Sequence, residues 1–73
     1  MTRLPRVTSR EILRRLKQAG FFVHVVAGGH YILKSADGKR RVTVQYHSKD
    51  LKPKTFKSIL NQAGITVDEF KEL

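Results

Sequence analysis

The chain has no cysteine, few acidic side chains and no long apolar run among its 73 residues. Without cysteine it can form neither a disulfide nor a thiolate zinc site, and this composition fits a reducing compartment. No segment approaches the roughly 18 apolar residues of a membrane-spanning helix, and the basic start lacks the apolar stretch of a secretion signal. A chain of this length has room for one small domain. We therefore expect a soluble, intracellular protein with a single domain over residues 1–73.

Positive charge is what the composition has in excess. Fifteen lysines and arginines against six acidic residues give a net charge of +9 and a pI near 10.5. The excess lies in residues 1–20 (net +5) and 34–57 (net +6), whereas residues 58–73 carry a net charge of −2. Charge concentrated in this way favours a polyanionic partner, either nucleic acid or an acidic protein. Solubility alone would need fewer charges of mixed sign.

The segment VTSREILRRLKQAG, residues 7–20, has the pattern of a helix that is apolar on one side and cationic on the other. Thr8 and Glu11 have the spacing of a capping box, and Gly20 can adopt the left-handed conformation that ends a helix. The predicted apolar stripe consists of Ile12, Leu13, Leu16 and Ala19. The predicted cationic face consists of Arg10, Arg14 and Lys17.

Three short strands are predicted next, at residues 21–26, 30–35 and 40–46. The first is rich in β-branched and aromatic residues. Gly28-Gly29 and Asp37-Gly38 are turn signals between consecutive strands. An antiparallel meander with one buried face fits the alternation of apolar and polar residues in the third strand. The apolar members, which should face the core, are Val42, Val44 and Tyr46.

Pro53 is well placed to open a second helix that runs to Ala63, with Gly64 at its end. Thr66 and Glu69 repeat the capping-box spacing for a final turn or two. The order α-β-β-β-α predicts an α+β fold with a three-stranded antiparallel sheet and both helices on one face. That order and size are those of the double-stranded-RNA-binding fold. A fold alone does not specify function, so the site has to be argued from its residues.

The three histidines are the main candidates for chemistry. We interpret His24, between valines in the first strand, as structural. His30 opens the second strand and His47 follows the third, so antiparallel pairing puts these two at the same edge of the sheet. With no cysteine and no carboxylate at ligand spacing, we predict no metal site. Ser48 does not complete an acyl-transfer set with His47, because adjacent residues of an extended chain usually face opposite ways.

General acid–base catalysis on an RNA phosphodiester fits the histidines better. An imidazole, with an ordinary pKa of about 6.5, exchanges a proton near neutral pH. RNA carries an internal nucleophile in its 2′-OH, and cations stabilise the charge that develops at phosphorus. Gly28 and Gly29 would let a phosphate approach the main chain beside His30. From the residues alone, an ordinary glycine turn with a structural histidine explains this segment equally well.

Three segments resemble the HicA (YcfA-like) toxins of bacterial toxin–antitoxin pairs: GFFVHVVAGGHYIL, RRVTVQYHSKDLKPKTFKSILNQAGI and TVDEFKEL. The family's pattern has a glycine–histidine motif opening the second strand and a histidine segment closing the third. A lysine- and proline-containing start to the second helix and a Gln-Ala-Gly end complete it. The resemblance covers nearly the whole chain. Two positions depart from the pattern, because Gln45 stands where the family usually has proline and Lys54 where it often has glycine.

The resemblance implies a double-stranded-RNA-binding-like fold and a metal-independent endoribonuclease of the bacterial cytoplasm. Such an mRNA interferase cleaves messenger RNA, halts growth and needs no cofactor. The resemblance also implies a HicB-type antitoxin that covers the site, and it places the catalytic histidine at His30. Our candidate accessory residues are Gly29, His47 and Ser48, and our candidate RNA contacts are Lys34, Lys49, Lys52, Arg10, Arg14 and Lys17. The helix cations among them would track RNA or an acidic antitoxin. Two alternatives stay open: a non-catalytic RNA-binding module of the same fold, and a basic protein-interaction surface.

Overall fold

A computed structural model of the chain describes residues 6–46 and 50–73. The three strands form one antiparallel sheet in the order β1-β2-β3, and the helices pack against it. The predicted α+β, double-stranded-RNA-binding-like arrangement is therefore confirmed, and the final turn or two predicted after Thr66 forms a short third helix. Within the described ranges, no helix has the length and apolar character needed to cross a membrane. The elements are α1 (Ser9–Gln18), β1 (Phe21–Ala27), β2 (His30–Ser35), β3 (Arg41–Gln45), α2 (Pro53–Ala63) and α3 (Val67–Lys71).

The start of α1 is capped by half of the predicted capping box. The Thr8 hydroxyl accepts a hydrogen bond from the Glu11 backbone N–H at 3.2 Å. The reciprocal half of that prediction is wrong, because the Glu11 carboxylate accepts hydrogen bonds from Arg14 and Arg15 instead. Two guanidinium partners outcompete one neutral N–H, since charge-assisted hydrogen bonds are the stronger kind. The complete box does form at α3, where Thr66 and Glu69 bond reciprocally.

The β1–β2 hairpin turns on two glycines in the left-handed conformation. Ala27 pairs with His30, which leaves only Gly28 and Gly29 in the loop, with φ of 57° and 80°. A two-residue hairpin loop with positive φ at both positions is the type that matches the natural twist of the strands. The geometry of the turn therefore requires residues that tolerate positive φ.

The core lies between one face of the sheet and the two longer helices. Phe21, Leu33, Val42 and Val44 are buried on this face, and Phe70 of α3 closes one end of the core. The helices contribute Ile12, Leu13 and Leu16 from α1 and Phe56, Ile59, Leu60 and Ala63 from α2. We call the other side, which carries His30, Ile32, Phe22 and Val25, the open face of the sheet. Phe22 and Val25 are exposed there.

Two residues predicted to face the core do not. Tyr46 is 44% exposed, although Val42 and Val44 before it are buried as the alternation predicts. It follows the last residue of β3, where the helices no longer cover the sheet completely. Ala19 is exposed as well, because α1 ends at Gln18 and Ala19 is its C-cap. The strand and helix bounds otherwise agree with the prediction to within two residues.

Candidate functional site

His30 lies at the first position of the central strand, exposed on the open face. Its Cα partners are Ala27 of β1 and Gln45 of β3, and the backbone N–H of Tyr46 donates to the Gly29 carbonyl at 2.9 Å. The start of β2 and the end of β3 therefore meet at the same end of the sheet, as the antiparallel order predicted. His47 itself lies outside the described residues.

His30 forms part of the wall of a cleft between the β3 edge and α2. We call this the His30 cleft. Lys54, Thr55 and Ser58 approach it from the first two turns of α2, which begins at Pro53 and whose N-cap residue, Lys52, makes no side-chain cap hydrogen bond. An ammonium, two hydroxyls and the positive end of a helix are groups that bind phosphate oxygens. The full lining is His30, Thr43, Gln45, Lys54, Thr55, Ser58, Ile59 and Gln62.

Gln62 fixes α2 against the strand that bears the cleft. Its Oε1 accepts a hydrogen bond from the Thr43 backbone N–H at 3.0 Å, and its Nε2 donates to the Ser58 Oγ at 3.3 Å. The Ser9 hydroxyl donates to the Gln45 carbonyl at 3.1 Å on the same edge of β3. These contacts satisfy polar groups that an edge strand would otherwise expose. The bond between Gln62 and Thr43 also holds α2 beside β3 and so helps to set the shape of the cleft, whereas the bond between Ser9 and Gln45 joins α1 to the end of β3.

The other predicted RNA contacts of the central region are distributed unevenly. Lys34 is on the open face but four residues from His30 along β2, which is about 13 Å at the usual rise per strand residue. Lys52 is exposed at the start of α2, two residues before Lys54. Lys49 and Ser48 lie outside the described residues. Gly29 adjoins His30, and in the part of the chain that the structure describes no atom beyond its two chain neighbours lies within 4 Å of where a Cβ would be.

The predicted cations of α1 lie in a different place. Arg10, Arg14 and Lys17 line a groove that they share with Tyr31 and Tyr46, which we call the α1 groove. Tyr31 and Tyr46 directly follow His30 and Gln45 in the chain, so they project from the other face of the same end of the sheet. The candidate site residues therefore divide between two surfaces, with His30 on one and the α1 cations on the other.

One acidic residue, Glu11, partly neutralises the positive charge of the α1 groove. Hydrogen bonds from Arg14 and then Arg15 lower the pKa of the Glu11 carboxyl to about 2. The nearest approach is 2.6 Å, between Arg14 Nη2 and Glu11 Oε1. Within the described ranges, neither Arg10 nor Lys17 makes an ion pair. These two side chains therefore provide the uncompensated positive charge of the groove.

The remaining histidine and the acidic residues do not assemble into a further site. His24 is exposed in β1 at an irregularity of strand register between Val23 and Val25, on the strand away from the His30 cleft. Across residues 6–46 and 50–73, no three His, Asp or Glu side chains come close enough to hold a metal ion. The chemistry of the described site is therefore that of an imidazole with ammonium, hydroxyl and amide neighbours.

The sequence prediction missed the α2 wall of the His30 cleft. The prediction includes Lys54 only as a departure from a family pattern and does not include Thr55, Ser58 or Gln62. A signal was available, because residues 55, 58 and 62 follow the three- and four-residue spacing of one helix face. Their polar stripe runs beside the apolar one that ends at Ala63. What the spacing could not show is which strand this stripe would meet.

Comparison with known proteins gives one family. A family model described as HicA toxin of bacterial toxin-antitoxin matches residues 9–65, which include α1, the whole sheet, α2 and every described residue of the His30 cleft. No curated protein matches the chain. The matched range ends before α3. That helix nevertheless contributes to the core, because its Phe70 side chain is buried, with 1% exposure.

Proposed function

The chain belongs to the HicA toxin family of bacterial toxin–antitoxin pairs, and from this premise we propose that it is a metal-independent endoribonuclease that cleaves messenger RNA. The observation that carries the proposal is the composition of the His30 cleft. An exposed imidazole shares this cleft with Lys54, Thr55 and Ser58 at the start of a helix. Imidazole is the group best suited to proton transfer near neutral pH, and its neighbours suit a phosphodiester.

In the proposed reaction, His30 transfers the proton that phosphodiester cleavage requires. It takes the proton from the attacking oxygen or delivers one to the oxygen that leaves. RNA can supply its own 2′-OH as the attacking group, in which case the P–O bond to the 5′-oxygen breaks and a cyclic phosphate forms. Lys54 and the hydroxyls of Thr55 and Ser58 would hold the non-bridging oxygens and stabilise their growing charge.

The test compares His30→Ala with His24→Ala, which removes another exposed imidazole of the same sheet. Each purified protein is incubated with RNA in EDTA, and the products are resolved on a gel. We expect the parent and His24→Ala to cleave, and His30→Ala to bind RNA without cleaving. Equal cleavage by both variants would refute the role of His30. Binding without cleavage by the pure parent would instead favour a non-catalytic RNA-binding module.

Inhibition by a protein partner is the second part of the proposed function. Toxins of this family work in pairs with antitoxins, and we propose a HicB-like antitoxin that covers the His30 cleft. Phe22 and Val25 are 47% and 41% exposed on the same open face as His30, and exposed apolar side chains on that face suit contact with a protein partner. A HicB-like reading frame beside this gene would support the pairing. Coexpression of its product should abolish RNA cleavage, and undiminished cleavage would refute it.

A further inference from the structure

The α1 groove combines exposed aromatic surface with uncompensated positive charge. It lies between α1, the start of β2 and the end of β3, and its walls include Arg10, Arg14, Lys17, Tyr31 and Tyr46. Single-stranded nucleic acid is bound by this pairing of cations with aromatic rings, because phosphates meet the charge and bases stack on the rings. Nothing in the His30 chemistry uses these tyrosines.

Tyr46 is an aromatic residue of the groove whose ring is not part of the hydrophobic core. Its ring is 44% exposed and lies 5.7 Å from that of Tyr31, with 39° between the planes. Its backbone is held by the hydrogen bond from its N–H to the Gly29 carbonyl. The exposed ring is thus anchored at its base and backed by a second ring, which reduces the conformational entropy that stacking would cost.

The charge of the groove is arranged along α1. Arg10 and Lys17 are seven residues apart, or about 10 Å along a helix axis. Arg14 lies between them, with its guanidinium held by Glu11. The two uncompensated cations therefore flank the region that faces the tyrosines. They can contact consecutive parts of a polyanionic backbone while a base reaches Tyr46.

We propose that the α1 groove binds an unpaired nucleotide of the RNA substrate, with its base stacked on Tyr46 and its flanking phosphates near Arg10 and Lys17. The inference rests on the proposed function, since it assigns a second contact to the same RNA. An unpaired base is required because the bases of a duplex stack on one another and leave no face for a ring. The groove and His30 lie on opposite faces of one end of the sheet, so an RNA that contacts both has to pass around this end, where the Gly28-Gly29 turn lies.

Because the protein contains no tryptophan, the substitution Tyr46→Trp introduces a single tryptophan as a fluorescent reporter in the groove. It is made in the His30→Ala background and titrated with a short single-stranded RNA carrying 2′-O-methyl groups, which cannot be cleaved through the 2′-OH. We expect the RNA to quench the fluorescence. The same sequence as a duplex should quench less, and polyphosphate, which has charge but no bases, should not quench.

Affinity measurements separate stacking from charge. Loss of one base–aromatic stack is worth about 1–3 kcal/mol, so Tyr46→Ala should weaken single-stranded RNA binding about 5- to 150-fold. Tyr46→Phe should bind like the parent, since it keeps the ring. Phe22→Ala is the matched control, because it removes an aromatic residue of similar exposure (47%) from the other face of the sheet. Arg10→Ala should lower the slope of log affinity against log salt by about one.

The outcomes are separable from those of the nuclease proposal. In the cleaving protein, Tyr46→Ala should raise KM for RNA more than it lowers kcat. If RNA binds and quenches through Tyr46 but His30 proves irrelevant to cleavage, the nuclease mechanism fails and this inference stands. Parent-like affinity in Tyr46→Ala, or equal response to polyphosphate and RNA, would overturn it. Should Tyr46→Ala lose its native circular-dichroism spectrum, the Tyr46→Trp titration and the affinity of Tyr46→Phe decide.

Discussion

Gly29→Ala tests whether the glycine beside His30 serves the turn alone or also the reaction. Gly29 has a φ of 80°, and no atom of the described residues beyond its two chain neighbours lies within 4 Å of its ideal Cβ position. A new methyl group therefore clashes with none of these residues, and the expected cost comes from the backbone. Holding an L-residue in the left-handed region costs about 1–2 kcal/mol. Reduced entropy of the unfolded chain offsets about 0.4–1 kcal/mol of this cost.

The net destabilisation of Gly29→Ala is therefore about 1 kcal/mol, which lowers Tm by about 4–8 °C in a domain of this size. Gly38→Ala is the matched control. Gly38 has a φ of 73° and lies in the β2–β3 turn at the opposite end of the sheet, and it likewise has no atom within 4 Å of its ideal Cβ among residues 6–46 and 50–73 beyond its chain neighbours. The two variants should lose nearly equal stability in thermal unfolding followed by circular dichroism.

RNA cleavage then distinguishes the two roles of Gly29. If a phosphate must approach the main chain beside His30, Gly29→Ala should lose about tenfold or more in kcat/KM, since small misplacements at a reacting centre are costly. Gly38→Ala should cleave like the parent at a temperature where both variants are folded. Equal cleavage by the two variants would show that Gly29 serves only the turn. An unchanged Tm in Gly29→Ala would refute the strain argument itself.

Acid should weaken the fold through Glu11, whose folded-state pKa of about 2 lies below its usual value of about 4.3. A depressed pKa contributes stability that is complete above about pH 4.5 and is lost as the pH falls towards 2. Because the carboxylate is partly exposed, we expect a loss of about 0.5–1 kcal/mol. Urea unfolding near neutral pH and at about pH 3 should show a smaller loss in Glu11→Gln than in the parent, and identical losses would contradict this assignment. Phe70 lies beyond the family-matched range, yet its ring packs edge-on against Phe56 at 5.0 Å and under the Arg15 guanidinium at 4.9 Å. Phe70→Ala should therefore cost about 3 kcal/mol or more and Phe70→Leu clearly less, and parent-like urea unfolding of Phe70→Ala would show that α3 is dispensable.

Local signals were sufficient to predict most element boundaries. β2 and α2 begin and end where predicted, because Gly28-Gly29, Pro53 and Gly64 impose their own backbone conformations. The same signals placed His30 at the start of the central strand. The resemblance singles out His30 among the three histidines.

Features set by tertiary packing could not be predicted in this way. The α2 residues of the His30 cleft depend on the rotation of that helix against β3, which is fixed by burial of Phe56 and Ile59 and by the Gln62 hydrogen bond to Thr43. The exposure of Tyr46 could not be predicted for a related reason. Alternation assigns it to the helix side of the sheet, but alternation does not show where the helices stop covering that side.

The two edges of the sheet differ in a way that bears on how a partner could bind. The β3 edge is covered, since Gln62 and Ser9 bond its outward backbone groups. The β1 edge has no strand partner within the described residues, which would normally invite another chain to add a strand. An irregularity of register between Val23 and Val25 interrupts that edge, and such irregularities disfavour continuous edge pairing. A proposed antitoxin would therefore gain more from the open face, where Phe22 and Val25 are exposed beside the strand that carries His30, than from extending the sheet.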